Sequence, residues 1–294
     1  MTKIAILGGT GYLASLIKDQ NNIKTNKYSF FSRKKNSKNY INKFLFKKNL
    51  NILKNFDIII HLAGPNEKQL KKNNNLIKEK NHFTSSICDL CLAYNIKLIY
   101  ISSLQIYKNY GKSNLSVSSK INLKNIYAKT HHESEKIIIA KFLNHKNMYS
   151  ILRMGNVFGF KKYNKQKKID NNLIHSFCFS AIKKKEILLK NGHIQRTFIP
   201  SQIFVEVINL IIKKNFFKNS IENIFYKNFN IKDIAKVIQK RLKFLFNFII
   251  KVKIRKFIYQ KKFKIYPNYN FKLNLDDNKI YFEIDQILKL YKKK

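Results

Sequence analysis

Short runs of almost uninterrupted apolar residues recur through the first half of the chain, each followed by a stretch of helical character. KIAILG (3–8) leads into YLASLIKDQ. KYSFFS (27–32), FDIIIHLAG (56–64), IKLIYISS (96–103) and SILRMGNVFG (150–159) follow, spaced by segments such as NHFTSSICDLCLAY and AKTHHESEKIIIAKFL. A strand buried on both faces has no polar side to present, so it reads as a continuous apolar run rather than an alternation. Strand–helix alternation of this kind predicts an α/β fold built on a doubly wound parallel sheet. Right-handed crossovers then collect the loops after each strand along one edge, where open sheets bind their ligands.

ILGGTGYLAS (6–15) sharpens this to a Rossmann-type nucleotide-binding fold. Gly8, Gly11 and Ala14 fall at the first strand–helix junction. Gly8 permits the tight turn, Gly11 lets a pyrophosphate approach the backbone, and Ala14 allows close helix–sheet packing. Tyr12 and Leu13 open the helix whose first N–H groups face the anion. A dinucleotide site commonly has a carboxylate about 20 residues further on, which binds the ribose 2′-hydroxyl. Here the second run ends FFSRKK, and Ser32 and Arg33 stand there instead. They suit a 2′-phosphate and favour NADP slightly over NAD. Arg33 reads equally well as one more exposed base in a basic chain.

After Gly159 the texture changes. A lysine-rich loop precedes the helix NLIHSFCFSAIKKK and a short strand. QRTFIP then leads to the helix SQIFVEVINLIIKK, and NIKDIAKVIQKRL is a further amphipathic helix. We expect a dinucleotide-binding domain over 1–159 and a smaller substrate lobe over 160–294, some of whose segments pack back on the first. The last fifty residues are aromatic and basic, with no element we can place.

Composition narrows the partners. The apolar fraction, 45%, is ordinary and supports a sizeable core. The charge is not: 59 Lys and Arg stand against 16 Asp and Glu, a formal +43. A polyanion partner is one reading. The other is drift, since Lys, Asn and Ile crowd the whole chain and the lysines fall in almost every polar stretch rather than on one stripe. Weak non-specific binding of nucleic acid at low salt is expected either way. Cys88, Cys91 and Cys178 predict buried thiols in a reducing compartment rather than a disulfide framework. His131 and His132 beside Glu133 and Glu135 lack metal-site spacing, so no metal is expected. The opening MTKIAILGG reads as a strand entering a turn, and no apolar run nears the ~20 residues a membrane span needs. A cytoplasmic protein is expected.

Taken together, the motifs resemble those of the extended short-chain dehydrogenase/reductases, in the nucleotide-sugar epimerase/dehydratase group. GGTGYLA is similar to the cofactor loop, and DIIIHLAG to the strand whose backbone near Ala63 lines the cofactor. Asn81 matches a supporting asparagine. YISSLQIY resembles the strand that carries the catalytic Ser or Thr, and YAKTHHESE resembles the Y-x-x-x-K helix. LRMGNVFG and RTFI are similar to segments that enter the substrate lobe, and FNIKDIAKVI to a later helix. The resemblance runs from residue 1 to about 240, in order.

The resemblance implies an NAD(P)-dependent enzyme acting on a nucleotide-activated sugar. Tyr127 would be the acid/base, and Ser103 would hold the same oxygen. Asn156 and Arg196 would face the nucleotide-sugar, with Arg196 at its diphosphate. Homodimers are usual in the family. Leu104 and Gln105 stand where a dehydratase would carry acidic residues, so epimerase or 4-ketoreductase is favoured.

The chain departs from the pattern at His131, where the motif has a lysine that bonds the nicotinamide ribose and lowers the tyrosine pKa. An imidazole can reach a ribose hydroxyl, but it is mostly neutral at pH 7. Lys129 projects from another helix face. Lys108 and Thr197 replace a usual glycine and aspartate. The alternative is therefore a catalytically impaired NAD(P)-binding scaffold whose basic surface binds RNA or another polyanion. Ser103 and Tyr127, both in place, weigh towards retained activity.

Overall fold

The computed structural model describes residues 1–20, 26–32, 50–108, 110, 112–122, 124–161, 172–256, 263–267, 273 and 276–293. The apolar runs form a six-stranded sheet of β1 (Thr2–Leu7), β2 (Asn26–Phe31), β3 (Ile58–His61), β4 (Lys97–Ser103), β5 (Tyr149–Met154) and β9 (Ser220–Ile224). Its order is β2-β1-β3-β4-β5-β9, and every pairing is parallel. The order reverses beside β1, which places the switch point of the sheet at the glycine loop.

The continuous apolar character of these strands has a direct cause. Ile4, Ile6, Ile58, Ile60, Ile99, Ile101, Leu152 and Met154 enter one core. The intervening Ala5, Leu7, Ile59, Leu98, Tyr100 and Ile151 enter another. A strand's side chains alternate between faces, so a sheet covered on both sides needs apolar residues at every position.

On one face lies α1 (Tyr12–Gln20), which packs on α6 (Ser201–Lys213). On the other lie α3 (Asn75–Ala93) and α4 (Ile126–Lys141). Between β3 and α3 comes the short helix α2 (Glu67–Lys72), started by a capping box between Asn66 and Gln69. Cys88 and Cys91 are free and buried on the inward face of α3, and burial pushes both thiols well up.

SILRMGNVFG divides into β5 and β6 (Asn156–Phe158), which join different sheets. β6 pairs with β8 (Gln195–Pro200), so QRTFIP is itself a strand, and β10 (Lys227–Asn230) completes this three-stranded sheet. A two-stranded parallel pair joins β7 (Glu186–Asn191) to β11 (Lys251–Lys256). The helices α5 (Leu173–Lys184), α7 (Ile231–Phe246) and α8 (Asn278–Lys292) pack together. β9 and α6 both follow residue 160 yet pack with the first half of the chain. None of the described helices is long and apolar enough to cross a membrane.

A buried ion pair ties α4 to the sheet. Arg153 on β5 is 3% exposed and Glu135 on α4 is 1% exposed. Arg153 donates Nε–H and Nη2–H to the two Glu135 oxygens at 3.0 and 2.7 Å. Ser102 on β4 donates to the same carboxylate at 2.6 Å, and Arg153 also donates to Tyr107 Oη at 2.7 Å. Burial alone would push the Glu135 carboxyl up, but the His132 imidazole, the Arg153 guanidinium and Ser102 outweigh it and hold it below the usual range.

Breaking a buried pair from one side leaves an uncompensated charge. Glu135→Leu is therefore expected to cost about 3–5 kcal/mol in urea unfolding, and Glu135→Leu with Arg153→Met less than the two singles summed. The pair's contribution should be complete above the unfolded carboxyl value of ~4.3. It should be lost as pH falls through the lower folded value.

Candidate active site

The glycine loop is built as a cradle. Gly8 ends β1 with φ +90°, in the region that side chains avoid. A Cβ there would stand 3.0 Å from the backbone of Ala63, just past β3. Gly11 N–H donates to Gly8 O at 2.8 Å, which folds the loop into the start of α1. Ala14 is fully buried against the sheet. The first turn of a helix has N–H groups without intrahelical partners, so the α1 end offers donors to an anion. The tight turn, the close approach to Ala63 and the helix end fit a dinucleotide. Gly8, Gly11, Tyr12, Leu13, Ala14 and Ala63 would be the residues to hold one.

Tyr12 opens α1. Its hydroxyl donates to Gly159 O at 3.0 Å, accepts from Gly159 N–H at 2.8 Å, and lies 3.4 Å from His175 Nε2. This clamps the loop helix to the chain leaving β6. At the far side of the loop, the Thr10 and Ser32 hydroxyls are 2.9 Å apart. Arg33, the other residue expected there, lies outside the described residues.

Tyr127 sits in the first turn of α4. Asn125 caps that turn by accepting from the N–H groups of Tyr127 and Ala128, at 2.9 and 3.2 Å. Ser103 closes β4, and its hydroxyl accepts from Gln105 N–H at 3.2 Å. The chain thus brings Ser103 and Tyr127 together. Burial raises the Tyr127 phenol, a hydrogen bond from Ser103 pulls it down, and Glu67 pushes it up again. Raised overall, Tyr127 is a proton donor at neutral pH. Tyr127, Gln105, Asn66, Glu67, Lys68 and Lys72 line a cavity of about 660 Å³.

His131 faces inward rather than to solvent. Its ring stands edge to face with Tyr127, centroids 4.6 Å apart, and Nδ1 lies 2.9 Å from Tyr100 Oη. Burial, then the charge of Lys80, hold the imidazole well below its usual range, so it is neutral. The adjacent His132 points instead towards Glu135. Lys129 is exposed and lies 3.9 Å from Glu133. Asn81 donates to Glu133 at 2.6 Å, while its own buried Oδ1 has no partner among the described residues.

The residue that inspection of the motifs missed is Lys80. It is 6% exposed on α3, and its ammonium donates to Tyr100 Oη at 2.9 Å. Its signal was available. Lys80 shares the inward face of α3 with Thr84, Ile87, Cys88 and Cys91, so it is a lysine in register with an apolar stripe.

Asn156 and Arg196 converge on Tyr110. Asn156 donates to Thr197 O at 3.0 Å and to Tyr110 Oη at 3.3 Å. The Arg196 guanidinium lies 5.5 Å from the Tyr110 ring centre. Thr197 donates to Asn228 at 2.5 Å. Among the described residues, no three His, Cys, Asp or Glu side chains gather as a metal site needs.

Gly8→Ala places a side chain at positive φ and against Ala63. We expect a loss of about 1–3 kcal/mol in stability and a weakened dinucleotide affinity, read by fluorescence titration.

The sequence matches the pattern of the NAD dependent epimerase/dehydratase family over residues 4–225. No curated protein matches it. Among solved structures, the chain is similar to a UDP-N-acetylglucosamine 4-epimerase from Methanobrevibacter ruminantium M1, in complex with UDP-N-acetylmuramic acid. Identity is 19%, coverage 99% of this chain and 98% of that one, and the TM-score 0.77. It is also similar to RMD from Pseudomonas aeruginosa complexed with NADPH, at 11% identity, full coverage of both chains and a TM-score of 0.76. A UDP-glucose 4-epimerase from Bifidobacterium longum in complex with NAD+ and UDP aligns at 16% identity, over 99% of this chain and 98% of that one, with a TM-score of 0.72. With the match covering most of its length, the chain belongs to the NAD dependent epimerase/dehydratase family.

Proposed function

We propose that the chain is an NAD(P)-dependent epimerase or 4-ketoreductase of a nucleotide-activated sugar. The observation that carries this reading is Tyr127, with Ser103 beside it, at the wall of a cavity of about 660 Å³. The dinucleotide, when bound, supplies or accepts hydride at the sugar carbon. The residues around it do the rest. Ser103 holds the reacting oxygen, and Tyr127 gives its proton to that oxygen as a ketone is reduced, or removes it as a hydroxyl is oxidised. His131 donates to the nicotinamide ribose. Arg196, fixed against Tyr110, receives the substrate diphosphate, which a planar guanidinium suits. Gln105 and Leu104 beside Ser103 offer no carboxylate for eliminating water. The crystallised relatives that hold UDP or a UDP-sugar support a nucleotide-sugar as the substrate class.

Titration with NADPH and NADH at moderate salt tests the reading at its base, and saturable binding is expected. Tyr127→Phe should lower turnover of nucleotide-sugars by about 10²–10⁴-fold while leaving dinucleotide affinity intact. Unchanged turnover in that variant would remove Tyr127 from the chemistry. Because burial raises the Tyr127 phenol, hydroxyl oxidation should rise steadily as pH increases above neutral, and ketone reduction should not. A pH profile of kcat in both directions checks this.

A further inference from the structure

The environment of Lys80 goes beyond a structural lysine. Burial costs a charged amine heavily, and well-packed apolar residues often replace buried ionic groups without loss of stability. Burial pulls Lys80 down to about 7, against the opposing carboxylates of Glu135 and Glu133. Among the described residues its ammonium has one hydrogen-bond acceptor, Tyr100 Oη, so two of its three N–H donors remain. The side chain lies directly under the segment that closes the dinucleotide groove. A Cβ on Gly64, next to Ala63, would stand 3.3 Å from Lys80 Cε and 3.6 Å from Nζ.

An ammonium only donates, so Tyr100 accepts from Lys80. We assign the Tyr100 proton to His131 Nδ1, 2.9 Å away. The neutral imidazole then carries its hydrogen on Nε2. His131 is thereby set as a donor, and the positive charge stands one residue behind it.

We propose that Lys80 is the cation of this site: bridged to His131 by the Tyr100 hydroxyl, it performs with that imidazole, for the bound dinucleotide, the work of a lysine at position 131. His131 provides the directed N–H, and Lys80 provides the charge and holds the tautomer. Lys80 acts through Tyr100 and His131, so it is a positioning residue. The inference rests on the dinucleotide-binding reading above.

Binding an anionic dinucleotide beside Lys80 favours its charged form, so complex formation above pH 7 should take up a proton. The other groups packed around Lys80 do not supply that proton site near pH 8. Burial and then Lys80 hold His61, on β3, down at about 3. His131 is held low, and burial raises Tyr100 on β4. Glu133 and Glu135 on α4 favour the charged amine.

The test is calorimetric binding of NADPH and NADH at pH 8 in two buffers of different ionisation enthalpy. Wild type should take up a substantial fraction of one proton. Lys80→Met should take up none and bind about tenfold more weakly at pH 6, yet melt no lower than wild type. Lys80→Met with His131→Lys should recover the affinity. No uptake in wild type, equal uptake in Lys80→Met, no recovery in the double variant, or a lowered melting temperature with unchanged binding would each overturn the proposal. A wild type that binds neither dinucleotide would instead defeat the enzymatic reading itself, before any variant is compared.

Discussion

The ion pair between Arg153 and Glu135 is the constraint on which the rest of the site depends. It fixes α4 against β4 and β5 with paired guanidinium–carboxylate hydrogen bonds, in a region closed to water. Ser102 and Tyr107 join the same network from β4 and the turn after it. Tyr127 and His131 lie on α4, and Ser103 and Tyr100 on β4. The distances between these side chains therefore depend on a pair buried beneath them. A surface ion pair could not do this, because screening and side-chain freedom leave it little net strength.

A second constraint is the closeness of the glycine loop to the end of β3. A Cβ on Gly8 would press on the Ala63 backbone, and one on Gly64 would stand against the Lys80 side chain. The floor of the groove is thus made of backbone on one side and a buried amine on the other. Tyr12 adds a third tie by holding Gly159. Beyond this floor a cavity opens at Tyr127, where α2 and its lysines form the edge.

How far the sequence could be read depended on which signals were local. The runs KIAILG, KYSFFS, DIIIHLAG and IKLIYISS became β1 to β4, since a doubly covered strand must be apolar throughout. YLASLIKDQ became α1 residue for residue. β9 escaped notice because SIENI is short and carries Glu222 and Asn223, which are buried but accept hydrogen bonds from Ser220 and Tyr107. α8 escaped although Ile280, Ile284, Ile287, Leu288 and Tyr291 keep a helical spacing, because the basic and aromatic residues around them masked it. In the site, Ser103 and Tyr127 were legible from motifs, and Lys80 was not, since a lysine is expected to face water.

The sequence by itself determined the strand–helix alternation, the glycine loop after β1 and the places of Ser103 and Tyr127. These follow from side-chain periods of 2 and 3.6 and from the steric needs of single residues, which are local properties. Only the tertiary structure decided which lysine serves the site. Position 131 lacks one, and Lys80 arrives from another helix through Tyr100, across 20 residues on one side and 31 on the other. That contact depends on which faces of α3, β4 and α4 meet. Packing, and no spacing along the chain, sets that meeting.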